Sequence, residues 1–171
     1  IRHSGAAAAT FAAMLATARD EHPAARILIK THPETRLGLR PGHFDNAPLP
    51  PSVTLLTEPV SLWRLLEGAI AVYTVSSQLG FEAILAGHRP RVFGQPFYAG
   101  WGLTEDRVPV SRRTRKLGLD SLVAGALILY PAYIGRRSGF FVSPERALQD
   151  LREWRGAAVP ASIPLWRRLV H

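Results

Sequence analysis

Cysteine is absent from the 171 residues. That excludes a disulfide framework, a thiolate metal site and a cysteine nucleophile, and it agrees with a reducing compartment, of which the cytoplasm is the simplest. Also missing is any run near the roughly 20 apolar residues that span a bilayer. The best candidate, Leu122 to Ile134, is short and broken by Pro131. The N-terminal stretch lacks a signal-peptide pattern, because Ala6 to Ala18 is interrupted by Thr10 and Thr17 and followed by Arg19, Asp20 and Glu21. No internal repeat and no low-complexity tract beyond the alanine run is present. No acidic cluster suits a metal ion, and none of the helix-turn-helix, zinc or RNP patterns of nucleic-acid binding occurs.

What is present is the composition of a globular protein, with 47% hydrophobic and 20% charged residues, enough for one sizeable core. The chain begins at Ile1, almost directly in a helical stretch, and reads as a piece of something longer. Lysine and arginine number 21 against 13 for aspartate and glutamate, a net charge of +8. Such an excess favours anionic partners without choosing among nucleotides, nucleic acid and acidic lipid. Most of the arginines read as surface solvation. Arg112, Arg113, Arg115 and Lys116 are denser than that, which leaves a membrane or acidic-acceptor role open.

The order of elements follows from periodicity. Residues 5 to 21 form an amphipathic helix, Arg26 to Lys30 a short strand, and Thr31 to Ser52 a polar loop long enough to suggest a function. Val53 to Thr57 is a second strand, Pro59 and Ser61 open a helix, and Ala69 to Val75 is a third strand. Ser76 and Ser77 start a helix that stops at Gly87, and Arg91 to Phe93 is a fourth strand. Leu119 to Leu129 and Pro144 to Trp154 are further helices. Largely apolar strands alternating with helices predict an α/β fold, a Rossmann-like parallel sheet flanked by helices. The expected domain runs from 1 to 155, with a loosely ordered tail from 156 to 171.

Three segments fall where open α/β sheets bind ligands, at the carboxyl ends of strands. The first is Lys30-Thr31-His32-Pro33, in which His32 can donate a hydrogen bond or a proton to a phosphate oxygen and Pro33 keeps His32 out of helical geometry. Its plainer reading is a surface histidine beside a turn proline. The second holds Ser76, Ser77, Gln78 and Glu82: two serines at a helix start offer hydroxyls, free N–H groups and the positive end of the dipole, while Glu82 lies within reach of a ribose. Ordinary N-capping and a solvated helix face are the plainer readings here. The third is the loop from Phe93 to Thr104, where Gly94, Gly100 and Gly102 permit unusual backbone angles and Tyr98 and Trp101 can stack on a sugar or base. A packed surface loop is its plainer reading.

At these residues the sequence resembles the capsular polysaccharide β-Kdo glycosyltransferases of Gram-negative bacteria. The matching strings are Lys30 to Pro33, Gly42 to Phe44, Val53 to Pro59, Val72 to Ala83, Phe93 to Thr104 and Arg112 to Arg115. The resemblance covers residues 25 to about 133, and the string Phe97-Tyr-Ala-Gly-Trp-Gly102 is the specific part. It implies the C-terminal half of a GT-B enzyme that binds CMP-Kdo as donor and transfers β-Kdo to the lipid-linked linker of a capsular polysaccharide. By that analogy His32, Ser76 and Ser77 hold the phosphate, His32 is the catalytic group, Glu82 holds the ribose, and no metal is needed. The acceptor would be bound mainly by an N-terminal domain absent from this chain, and the work would be done in the cytoplasm at the inner membrane. After Tyr130-Pro-Ala-Tyr133 the relatives' Asp-Pro segment is replaced by Ile134-Gly-Arg-Arg-Ser-Gly139. The alternatives are a GT-B-like enzyme using a UDP-sugar, such as an epimerase, and a non-catalytic basic module binding nucleotide or nucleic acid. Base selectivity and salt-sensitive DNA binding separate them.

Overall fold

The computed structural model describes residues 7 to 156 other than 40, 46 and 59. The predicted helix start at Pro59 and the tail beyond Gly156 therefore lie outside the described residues. The chain divides into two compact units, Ile1–Leu122 and Val123–His171.

In the first unit, α1 (Ala8–Glu21) precedes β1 (Ile27–Lys30), which pairs in parallel with β2 (Val53–Leu56). β3 (Tyr73–Thr74), β4 (Arg91–Val92) and β5 (Glu105–Asp106) form a second parallel ladder. Helix α4 (Leu79–Leu85) links the parallel pair β3 and β4, α3 (Leu62–Glu67) lies between the two ladders in sequence, and the parallel strands give the α/β class expected from the apolar strands. The third strand is shorter than Ala69 to Val75 suggests, since only Tyr73 and Thr74 pair. Ala69 instead packs on the cluster of Leu66, Val72 and Ala83. The long loop after β1 contains one helical turn, α2 (Pro33–Arg36), opened by a proline whose fixed φ suits a first helical position.

The register sorts the second ladder into two faces. Tyr73, Arg91 and Glu105 share one rung, and Thr74, Val92 and Asp106 share the next. Successive residues point to opposite faces of a sheet. The first rung meets the end of α1: Glu21 accepts a hydrogen bond from Tyr73 at 2.6 Å and pairs with Arg91 at 2.6 Å and with Arg107. Hydrogen bonding from Tyr73 is the main reason the Glu21 carboxyl sits below its usual range, with Arg91 and Arg107 adding to it. The second rung faces the core, where Val92 is fully buried and Thr74 nearly so.

α4 ends as its sequence suggests. Gly87 has φ +87°, and the N–H of His88 reaches the carbonyl of Ala83 at 2.9 Å, the bonding of a Schellman stop. α5 (Leu119–Val123) runs on as a π-helical stretch, Ala124–Leu129, closed by the Tyr130 N–H on the Gly125 carbonyl at 3.0 Å. The second unit then holds an antiparallel hairpin, β6 (Tyr133–Ile134) with β7 (Phe141–Val142), and α6 (Pro144–Gly156). Neither β5 nor this hairpin is visible in the apolar pattern, because each strand has only two residues and β5 consists of two carboxylates.

Candidate functional site

β1 delivers Lys30, Thr31 and His32. The Thr31 hydroxyl donates to the Leu56 carbonyl at 3.1 Å, fastening the end of β1 to β2, while the Lys30 ammonium donates to the Thr31 carbonyl at 3.0 Å. His32 is exposed, and Pro33 begins the helical turn behind it. Its Nδ1 accepts the Glu34 N–H at 3.2 Å and lies 3.4 Å from the Glu34 carboxylate. One nitrogen cannot accept a proton bond and donate one together. The neutral ring with Nε2 protonated therefore suits the N–H, and the imidazolium suits the carboxylate. Either way Nε2 carries a proton and can donate.

β3 delivers the serines. Ser77 donates its N–H to the Thr74 hydroxyl at 3.3 Å, and its own hydroxyl accepts the Leu79 N–H at 3.2 Å. The capping reading of Ser77 therefore holds for its side chain. Ser76 is exposed, and among the described residues its hydroxyl has no hydrogen-bond partner. Gln78 is exposed at the helix start, its carbonyl accepting from Phe81 and Glu82, and Glu82 is half-buried.

The aromatic glycine loop after β4 packs onto this turn. Tyr98 is 0% exposed and donates to the Ser77 carbonyl at 2.5 Å. This corrects the expectation that Tyr98 stacks on a ligand: its ring is buried between elements, in edge contact with Phe97, and no face is open. Burial, the main cause, pushes the phenol up to about 12, so it stays a hydrogen-bond donor at every ordinary pH. Tyr98 is thus a post fixing the height of the serine turn. Gly94 is required for a different reason than its backbone angle: a Cβ there would come within 2.6 Å of the Val75 carbonyl oxygen.

Asp106, on β5, organises the loop's far end, accepting the Gly100 N–H at 2.9 Å and the Thr104 hydroxyl at 2.7 Å. Gly100 has φ +79°, a conformation that side chains disfavour. Arg113 reaches in to donate to the carbonyls of Pro96 at 2.6 Å and Ala99 at 2.5 Å, and its guanidinium lies 5.3 Å from the centre of the Trp101 ring. Burial, with Arg112 adding to it, lowers its pKa from the ordinary value. Trp101 is half-exposed, its indole N–H held by the Phe97 carbonyl at 2.8 Å.

Contacts therefore unite Ser77, Tyr98, Gly100 and Trp101 in one assembly, together with Thr74, Asp106 and Arg113. Sequence reasoning gave those three no place in the site: Arg113 stood in a basic run read as open to a membrane or an acidic acceptor, and Asp106 in a strand without apolar residues. No hydrogen bond among the described residues joins His32 to Ser76, Ser77 or Glu82. Among the described residues, no group of three or more His, Cys, Asp or Glu side chains is placed to hold a metal ion.

The chain is similar to known proteins. The family model described as "Capsule polysaccharide biosynthesis protein" matches residues 1–136. Capsule polysaccharide modification protein LipA of Neisseria meningitidis serogroup A is 40% identical over 138 residues, 81% of this chain and 20% of LipA. Lipopolysaccharide-processing protein LpsZ of Rhizobium meliloti is 41% identical over 131 residues, 77% of this chain and 30% of LpsZ. Among solved structures, the Thermosulfurimonas dismutans KpsC β-Kdo 2,4 transferase superimposes with TM-score 0.80 at 39% identity, over 85% of this chain and 46% of that one. The β-Kdo 2,7 transferase of the same organism gives 0.67 at 36% identity, over 84% and 45%. This chain thus spans under half of each solved structure, and its α/β fold is that of one half of a GT-B glycosyltransferase. It belongs to the capsule polysaccharide biosynthesis protein family.

Proposed function

We propose that this chain is the donor-binding half of a β-Kdo glycosyltransferase that uses CMP-Kdo and builds the lipid-linked end of a capsular polysaccharide. One observation carries the reading. Tyr98 ties the aromatic glycine loop to the Ser76-Ser77 turn at the carboxyl end of β3, in a fold shared with two Kdo transferases. Carboxyl ends of parallel strands are where such folds take nucleotides.

In this reading the phosphate of CMP lies against the Ser76 hydroxyl and the start of α4, because Ser77 Oγ is already engaged with Leu79. His32 supplies a second donor through Nε2. As the bond from Kdo C2 to the phosphate oxygen breaks, charge grows on the leaving CMP, and the donors of the Ser76 turn and His32 stabilise it without a metal. Glu82 accepts hydrogen bonds from the ribose hydroxyls, and half-exposed Trp101 offers an apolar face. The acceptor, a lipid-linked saccharide, is bound mainly by the other half of the enzyme, at the cytoplasmic face of the inner membrane. Among the described residues no helix is long and apolar enough to cross a membrane, and the reading takes the contact with lipid as peripheral.

Calorimetric titration of CMP, with UMP and AMP as controls, tests the assignment. CMP should bind selectively, and His32→Ala and Ser76→Ala should each weaken it by about tenfold, the worth of one hydrogen bond to a charged group. Equal binding of UMP would move the reading to a UDP-sugar enzyme. Unchanged CMP affinity in both folded variants would remove the site.

A further inference from the structure

We propose that Arg112, Arg115 and Lys116 form an anion subsite on the rim of the aromatic glycine loop, which receives the carboxylates of an acidic saccharide. The inference rests on the transferase reading above and adds to it a surface for the sugar rather than for the nucleotide.

Three observations support it. First, the basic run is clamped to the loop at two points. Arg113 turns inward onto the Pro96 and Ala99 carbonyls, and the Leu117 N–H donates to the Trp101 carbonyl at 2.9 Å. The stem of Lys116 also lies along Gly102, where an added Cβ would be 3.3 Å from its Cγ. Arg112, Arg115 and Lys116 are therefore displayed from a fixed edge of the loop rather than from a free tether.

Second, the three are exposed, and among the described residues none has a carboxylate within ion-pair distance. Other arginines do: Arg91 and Arg107 pair with Glu21, Arg137 with Glu153 and Arg146 with Asp150. Asp106 has its oxygens engaged by Gly100 and Thr104, and its charge acts on the inward-turned Arg113. Burial first, and then the like charge of Arg112, lowers the pKa of Arg113 beside them. Unpaired positive charge held together by the fold lowers in energy when an anion arrives.

Third, the chemistry of the sugar matches. Kdo is a keto acid, so a chain of Kdo residues repeats a carboxylate at each unit, and a guanidinium binds a carboxylate through two parallel N–H donors. A neutral saccharide would gain nothing from this rim.

The test uses a fluorescently labelled Kdo disaccharide, its carboxyl-reduced analogue and phosphatidylglycerol vesicles, with the unmodified chain and the R112Q/R115Q/K116Q variant. Circular dichroism confirms that the variant is folded. The disaccharide should bind the unmodified chain in low salt and weaken as ionic strength rises. The triple variant should bind it at least about tenfold more weakly, as should the reduced analogue to the unmodified chain. CMP affinity should stay within about twofold in the variant. Equal binding of the reduced analogue, an unaffected variant, or salt-sensitive binding to the vesicles with none to the disaccharide overturns the proposal. So does loss of CMP affinity in the folded variant, which would place these residues in the nucleotide pocket. If CMP fails to bind the unmodified chain while the disaccharide binds through the rim, the donor assignment alone falls.

Discussion

Replacing Tyr98 by phenylalanine removes one oxygen from the centre of the candidate site and leaves the ring's packing in place. The hydroxyl lost is fully buried and donates to the Ser77 carbonyl at 2.5 Å. A buried hydrogen bond contributes about 1 kcal/mol net, and leaving a partner unsatisfied costs about 1–3 kcal/mol. Ser77 retains one partner, the Gly80 N–H at 3.1 Å, so the lower half of that range applies, about 1–1.5 kcal/mol. In urea melts the unfolding free energy should fall by that amount at neutral pH, through a lower midpoint with the slope unchanged.

The same substitution has a pH signature. The phenol is pushed up to about 12 in the folded protein, chiefly by burial, against an unfolded value near 10. A folded pKa above the unfolded one means that the unfolded chain loses its proton first. The stability linked to Tyr98 is therefore fully present below about pH 10 and is lost as pH rises from about 10 through 12. Two pKa units correspond to about 3 kcal/mol for a group with no exposed surface. Tyr98→Phe should be less stable than the parent at pH 7 and should lose less on going to pH 11.5, so the two curves converge. Absorbance of tyrosinate, read with the melts, follows the ionisation. Tyr73 is also pushed up to about 12, by burial and by its bond to Glu21, so an alkaline limb remains in the variant. Equal neutral stability of both proteins, or parallel alkaline limbs, would refute the assignment of Tyr98 as a buried donor.

Gly94→Ala forces a Cβ to within 2.6 Å of the Val75 carbonyl oxygen and should destabilise by about 1–3 kcal/mol in thermal melts, the ordinary cost of overpacking. Arg113→Lys keeps the charge but cannot serve the Pro96 and Ala99 carbonyls and also lie flat over Trp101. Tryptophan fluorescence should shift toward that of a solvated indole, with a stability loss of about 1–3 kcal/mol. Glu21→Gln should flatten the acid limb: the lowered Glu21 carboxyl contributes stability above its unfolded pKa that is lost as pH falls through the folded value. The variant's loss between pH 5 and pH 3 should be the smaller of the two in urea melts, and an identical loss would dismiss the Glu21 network as a contributor.

Much was legible from the amino acids alone. The alternation of apolar strands with helices determined the α/β class, because parallel strands need crossovers and buried strands need apolar residues on both faces. Gly87 marked the end of α4, and the strings around Ser76 and Phe97 marked two segments that the fold joins through Tyr98. Those are local properties, fixed by period, propensity and residue identity within a few positions. The sequence does not reveal which way a side chain turns once distant segments meet. Tyr98 and Trp101 look alike in the loop, yet the first is sealed beneath the serine turn and the second stays half-exposed. Arg112 and Arg113 are neighbours in a basic run, yet only Arg113 is drawn onto two carbonyls. Asp106 gives no signal as a strand residue, since its role is to collect donors from the loop before it. These choices depend on long-range packing and hydrogen-bond satisfaction, which only the folded chain decides.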